Sequence, residues 1–270
     1  MISERTLNNI VIKPLVIIEN KDETKVKGGK LFKNPFNCTF LCAKRKSGKT
    51  SVLGHILQKT SDKSTVFWIF CPTTRVDNSW ITIIKILEDR GSTVNVFDSI
   101  LDGKVNLLEE IIKDLSNPEE ESKKEDVKPK PSMKLTFGDS PKTKKKEYKP
   151  KKIAPKHIFV FDDISPELKL VSSLCKKSRH FGASVYISSQ YVNDVPPAVI
   201  KQLDYFLCFK SFSRDKLEHI HRLLDLTIDL DKFYSIYDYC FSHTNGYDFL
   251  YIDVREQEFR KNFNKILNIS

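Results

Sequence analysis

Residues 38–50 read Cys38-Thr39-Phe40-Leu41-Cys42-Ala43-Lys44-Arg45-Lys46-Ser47-Gly48-Lys49-Thr50. An apolar run leads into a basic loop that contains a glycine, and a helix-like stretch follows from Thr50 to Gln58. A phosphate-binding loop needs this order of strand, loop and helix, because backbone N–H groups at the positive end of the helix must wrap an anion. Ala43 to Thr50 fits the pattern G-x-x-x-x-G-K-[ST], except that Ala43 stands where the first glycine is usual. Alanine there demands a backbone angle that a Cβ tolerates.

The expected nucleotide-binding residues are therefore Ala43, Lys44, Arg45, Lys46, Ser47, Gly48, Lys49, Thr50 and Ser51. Backbone N–H groups around Gly48 would hold the β-phosphate of ATP, and Lys49 would neutralise charge on the β- and γ-phosphates. The Thr50 hydroxyl would be a ligand of Mg²⁺.

Outward from this loop, short β-branched and aromatic runs alternate with helical stretches, the sign of parallel strands joined by crossover helices. Core strands are predicted at about 37–42, 64–71, 92–97, 157–162, 183–189 and 204–210. The class is α/β, with a mostly parallel central sheet flanked by helices. An accessory strand is expected over Asn9–Glu19, at an edge because Pro14 cannot donate to a ladder. A further strand is expected at Gly246–Val254, and a closing helix over Arg255–Leu267. Residues 1–36 are read as an accessory segment and 37–270 as one nucleotide-binding domain.

The strand His157-Ile158-Phe159-Val160-Phe161 ends in Asp162-Asp163. A buried parallel strand delivers its last residues to the C-terminal edge of the sheet, where the phosphates would sit. Asp162 would hold Mg²⁺ through water. Asp163 would polarise the attacking water as general base, a task more often given to Glu. Lys49 and Asp162 are expected to converge from adjacent strand ends upon one triphosphate. The next apolar strand, Ala183–Ser189, is followed by Gln190, whose amide can hydrogen-bond the lytic water or the γ-phosphate. Arg179 and Arg214 are two positions from which a cation could be supplied in trans to a neighbour's γ-phosphate, and the sequence does not rank them.

Composition sets wider bounds. Lys and Arg number 45 against 35 Asp and Glu, a net charge of +10 at pH 7, which suits an anionic partner such as nucleic acid. The six cysteines lie mostly in apolar runs without paired metal-ligand spacing, and read as buried thiols of an intracellular protein. His219 and His221 are two apart on a predicted helix and face different ways, which argues against a metal pair. No apolar run approaches the ~20 residues that span a bilayer, and the N-terminus has no signal-type core. Asn117–Lys152 holds five prolines, twelve lysines and seven acids, and is read as a disordered insertion within the domain.

The order of these motifs resembles the FtsK/HerA superfamily, most of all the genome-packaging ATPases of poxviruses, giant DNA viruses and their virophages. The residues that carry the likeness are Ala43–Thr50, Asp162-Asp163 and Ser178-Arg179-His180-Phe181-Gly182-Ala183-Ser184, running into Val185–Gln190. The resemblance covers roughly Asn37 to Leu224. It implies a RecA-like P-loop NTPase, a homo-oligomeric ring (hexamer or pentamer) with nucleotide between subunits, and pumping of double-stranded DNA into a capsid, with the capsid or a portal-like vertex as a partner. It also implies that Gln190 couples hydrolysis to movement, and that the protein works inside an infected cell or with the virion. Ala43 for Gly, Asp163 for Glu and the lysine-rich insertion depart from that pattern.

Two other classes remain open on sequence grounds: another P-loop ATPase acting on nucleic acid, such as a helicase or helicase loader, and a DNA-binding structural component without turnover. The lysine-rich insertion has two readings of its own, a solvated loop or a set of phosphate contacts between Lys142 and Lys152. Deleting residues 119–150 separates them. Phosphate contacts predict a shallower fall of DNA affinity with salt in the deletion, and a solvated loop predicts an unchanged slope.

Overall fold

The computed structural model describes residues 25–117, 152–210, 212–242 and 247–268. The predicted strand at Asn9–Glu19 and nearly all of the predicted insertion lie outside these residues. The elements are β1 (Cys38–Cys42), α1 (Lys49–Thr60), β2 (Val66–Phe70), α2 (Asn78–Asp89), β3 (Thr93–Phe97), the small hairpin β4 (Leu101–Asp102) and β5 (Val105–Asn106), and α3 (Leu107–Ser116). There follow β6 (His157–Asp162), a 3₁₀ turn over Ser165–Val171, α4 (Ser172–Lys177), β7 (Ala183–Ser189), α5 (Pro197–Ile200), β8 (Tyr205–Phe209), α6 (Arg214–Leu223), α7 (Leu230–Ser242), β9 (Phe249–Asp253), β10 (Glu258–Lys261) and β11 (Lys265–Ile266).

All six predicted core strands are present, and they form one sheet in the order β11-β10-β9-β8-β1-β7-β6-β2-β3. From β8 to β3 every pairing is parallel, while β9, β10 and β11 add antiparallel strands beside β8. β1, β6, β7 and β8 are buried along nearly their whole length, as strands covered by helices on both faces must be. On one face Leu53, Ile56 and Leu57 of α1 and Trp80, Ile83 and Leu87 of α2 pack on Leu41, Ile69, Val160 and Tyr186. On the other, residues of α3 to α7 pack on Phe40, Phe159, Phe161, Val185 and Phe206. An aromatic ladder crosses the second face, with Phe70 stacked between Phe97 at 4.9 Å and Phe161 at 5.1 Å. Each such pair adds about 0.5–1.5 kcal/mol beyond its burial.

Residues before β1 join the same core. Phe32 lies fully buried, 4.8 Å from the Tyr205 ring, and Lys27 donates to the Ile153 carbonyl at 2.8 Å.

The helix expected over Arg255–Leu267 is corrected: the segment is the antiparallel pair β10 and β11. Tertiary packing overrides the local signal there. Phe259 points into the core while Arg260 lies over the Tyr251 ring at 4.9 Å and pairs with Glu258, an alternation that only a strand presents. Gln257 and Asn262 take left-handed backbone angles, φ 53° and 55°, which break a helix at both ends of β10. The Asn262 side chain then accepts from the Phe249 N–H at 3.0 Å and donates to Asp248 at 2.8 Å, fixing the turn.

Gly54 marks a close approach of α1 and α2. A Cβ there would fall 2.7 Å from Ile83 Cδ1 and 2.8 Å from its Cγ1. Overpacking of this kind costs about 1–3 kcal/mol, more than the helix propensity that a side chain would add. Gly54→Val is therefore expected to lower stability in denaturant unfolding, and a double-mutant cycle with Ile83→Ala should recover part of the loss.

Candidate functional site

The parallel register brings most of the predicted residues to one edge. Cys42 is level with Ser189 of β7 and Cys208 of β8, and Asp162 is level with Ser188. The residues that follow these strand ends, Ala43, Gln190 and Asp163, emerge side by side. Ala43 donates to the Ser189 carbonyl at 3.0 Å and Asp163 to the Ser188 carbonyl at 3.1 Å, so the ladder continues one step past the strands.

The loop then turns on two left-handed residues, Lys46 (φ 63°) and Gly48 (φ 83°). Gly48 is the N-cap of α1 and supplies no side-chain cap, whereas Asp77 and Asn106 cap α2 and α3 through their side chains. The N–H groups of the first turn of α1 thus face the loop without a side-chain acceptor. Lys44, Arg45 and Lys46 are exposed, Thr50 is half-buried, and Ser51 points outward. The buried Ser47 hydroxyl has no hydrogen-bond partner.

Lys49 lies at the centre. Its ammonium is 3.0 Å from Asp162 Oδ1 and 2.8 Å from Asp163 Oδ1, and its side chain is only 10% exposed. The sheet order corrects one expectation here: β1 and β6 are separated by β7, so the two groups meet across an intervening strand rather than from adjacent ones. Lys49, the first residue of α1, spans that gap on its long side-chain stem. Burial draws the Lys49 pKa down, but attraction to Asp162 and the hydrogen bond and charge of Asp163 outweigh it and leave it above its ordinary value.

The two carboxylates are held differently. Asp162 is buried; its Oδ2 accepts from Trp80 Nε1 at 2.9 Å, and the Cys71 thiol lies 3.9 Å away. Its Oδ1 is ion-paired with Lys49 but accepts no hydrogen bond of good geometry. Asp163 is 40% exposed and adopts φ 52°, a conformation that costs little for Asp and swings its carboxylate back toward Lys49. Burial pushes the Cys71 thiol up to about 11, with the Asp162 charge adding to it and the Thr73 hydroxyl working against it.

Gln190 sits half-buried at the tip of β7, and its carbonyl is 3.8 Å from Cys42 Sγ. A cluster that the sequence reading missed fixes this tip. Asp194 Oδ2 accepts from Ser189 Oγ and, at 2.8 Å, from Ser165 Oγ, and the two hydroxyls are 3.2 Å apart. The loop after Asp163 is thereby tied to the loop that carries Gln190. Asn193-Asp194 before Val195-Pro196 carried a turn signal, but nothing in the sequence joined it to Ser165. Trp80 left no local signal at all, being one apolar residue of an amphipathic helix.

The two arginines fall in different places. Arg179 lies at the opposite edge of the sheet, 2.8 Å from Asp204, a buried carboxylate that also takes Arg255 at 2.8 Å and the Cys38 N–H at 2.9 Å. Burial raises the Asp204 pKa, while that N–H and the two guanidinium groups pull it down. Arg214 opens α6, just beyond the end of β8 and so on the loop's side of the sheet; it pairs with exposed Asp238 at 2.6 Å and lies 4.6 Å over the Tyr234 ring.

Among the described residues, no group of three or more His, Cys, Asp or Glu side chains is arranged to hold a metal alone. All six cysteines are free and buried. No helix among the described residues is long and apolar enough to cross a membrane.

Fold and loop together have the α/β architecture of P-loop NTPases, with a mostly parallel sheet. Known structures place the architecture more narrowly. The chain is similar to the genome-packaging NTPase B204 of Sulfolobus turreted icosahedral virus 2, solved in complex with AMP, with a TM-score of 0.51 at 16% identity over 87% of this chain and 100% of that one. It is equally similar to the DNA-packaging ATPase B204 of Sulfolobus turreted icosahedral virus, with a TM-score of 0.51 at 15% identity over 85% and 98%. The fold is thus that of viral genome-packaging NTPases. In sequence, 126 residues are 29% identical to uncharacterized protein 075L of Invertebrate iridescent virus 6, a match that takes in 42% of this chain and 48%, about half, of that protein. No protein-family model matches the chain.

Two outcomes follow from this geometry. Trp80→Phe keeps an aromatic ring but removes the indole N–H that Asp162 Oδ2 accepts, and should destabilise the fold by about 1–3 kcal/mol in thermal or denaturant unfolding. Because Lys49 titrates higher folded than unfolded, its ion pairs contribute fully below about pH 10.5 and less as pH rises through the raised value. The stability difference between wild type and Lys49→Met should be flat from pH 7 to 9 and shrink above pH 10.5.

Proposed function

We propose that the chain is an ATP-hydrolysing motor that translocates double-stranded DNA and packages a viral genome into a capsid. One observation carries the reading: Lys49 meets both Asp162 and Asp163 within 3.0 Å at the sheet edge where Gly48 opens α1. An ammonium held by two carboxylates beside a row of helix N–H groups is a site waiting for polyphosphate, since the anion replaces the carboxylates as partner of Lys49.

In this reading the N–H groups at Gly48 and the start of α1 hold the β-phosphate, and Lys49 neutralises the β- and γ-oxygens. Thr50 and Asp162 would hold Mg²⁺, which supplies charge neutralisation between the phosphates. The residues fit that ion: Asp162 Oδ1 has no hydrogen bond to give up, and Trp80 keeps Oδ2 in place. Asp163, exposed and aimed at the same ammonium, accepts the proton of the attacking water. Gln190 orients that water or the γ-phosphate, and the Asp194 cluster couples its loop to Asp163's.

A ring of like subunits would place a neighbour's arginine at the γ-phosphate. Arg214 suits the task better than Arg179. Its pair with Asp238 is exposed on both sides and exchanges at little cost, while Arg179 is bound to a buried carboxylate that would be left with one guanidinium fewer. Affinity for duplex DNA without sequence preference accords with the net charge of +10. The likeness to viral packaging NTPases supports the packaging task and a virion-linked, intracellular setting.

The decisive measurement is ATP hydrolysis with and without DNA. Duplex DNA should stimulate turnover, Lys49→Ala should lower it by at least ~100-fold, and Gln190→Ala should cut turnover while leaving ATP binding intact. Stimulation by single strands alone would transfer the reading to a helicase, and no hydrolysis in any condition would leave a binding protein.

A further inference from the structure

We infer that Tyr247 is the base-stacking residue of the nucleotide site, and that it sets the affinity for a nucleoside triphosphate above that for a bare polyphosphate. The inference rests on the phosphate-loop reading of Ala43–Thr50 and extends it to the other end of the ligand.

The topology fixes which way a nucleotide must lie. Asp162, Asp163 and Gln190 all stand on the β6 and β7 side of β1. A γ-phosphate served by these groups lies on that side. With the β-phosphate on the Gly48 N–H groups, the α-phosphate, ribose and base run the other way, over β8 and β9. Tyr247 stands there. It immediately precedes β9, whose first residue Phe249 is level with Phe209, the last residue of β8, so Tyr247 sits at the same edge as the loop.

Its contact with the loop is direct. A Cβ built on Gly48 would lie 2.7 Å from Tyr247 Cδ1, 3.4 Å from Cε1 and 3.7 Å from Cγ. The atoms nearest Gly48 form one edge of the ring, so its faces are turned elsewhere, and the residue as a whole is 68% exposed. A large aromatic ring left this open against a phosphate loop offers a planar ligand an apolar face. It also gives Gly48 a second reason to lack a side chain besides its φ of 83°, because any substituent would strike the ring.

The test uses the full chain and two probes, ATP and inorganic tripolyphosphate, titrated calorimetrically against wild type, Tyr247→Ala and Tyr247→Phe, with Lys49→Ala as control. Stacking predicts that Tyr247→Ala loses about tenfold in ATP affinity, the lower part of the range for a base on an aromatic ring, while tripolyphosphate binds as before. Tyr247→Phe should bind both like wild type, since the ring face is retained. Equal weakening of both probes in Tyr247→Ala would make the tyrosine a prop of the loop and overturn the proposal, and so would tighter binding of both, which would make it an obstruction. If wild type binds neither probe and matches Lys49→Ala, the phosphate-loop reading itself falls, an outcome distinct from loss of base selectivity alone.

Discussion

A single ammonium organises this molecule's working edge. Lys49 Nζ is nearly buried, and a charge so placed is tolerable only with partners; it has two, Asp162 and Asp163, within 3.0 Å. Three elements must be in register for that contact to form. β1 must end where the loop begins, β6 must end at Asp162, and α1 must start on a glycine that can turn the chain with φ 83°. The parallel ladders through β7 align the first two, because Cys42 pairs with Ser189 and Asp162 with Ser188 on the same strand.

The fold serves this edge economically. Helices cover both faces of the parallel strands, which leaves the strand ends as the place where polar side chains can gather without cost to the core. The opposite edge is closed differently, by a buried carboxylate, Asp204, that ties Arg179, Arg255 and the start of β1 together. One edge is thus locked by satisfied charges, and the other holds charges arranged to exchange partners. In the proposed motor, that asymmetry separates the part that must stay rigid from the part that must respond to phosphate.

The two acids of the β6 end differ in environment rather than in type. Asp162 is fixed by Trp80 and shielded from water, which suits a group that holds position. Asp163 is partly exposed and turned by a left-handed backbone angle, which suits one that meets solvent. The short arm of an aspartate at this position is compensated by that turn, since it brings the carboxylate as near to Lys49 as its buried neighbour.

The sequence by itself determined the six core strands, the glycine turn before α1, and the gathering of Lys49, Asp162 and Asp163 at one sheet edge. It could do so because each rests on a local pattern: an apolar run of strand length, a glycine-lysine-threonine turn, acids at a strand end. What the tertiary structure alone decided was pairing. The sequence did not place β7 between β1 and β6, give Asp162 its Trp80 donor, join Asp194 to Ser165, or separate Arg179 from Arg214. Nor did it turn Arg255–Leu267 into strands, where Phe259 could be buried only by alternation against β9. Each of these depends on residues distant in the chain meeting across a sheet, and the order of strands in a sheet is set by the packing of the whole domain, not by any one segment's preference.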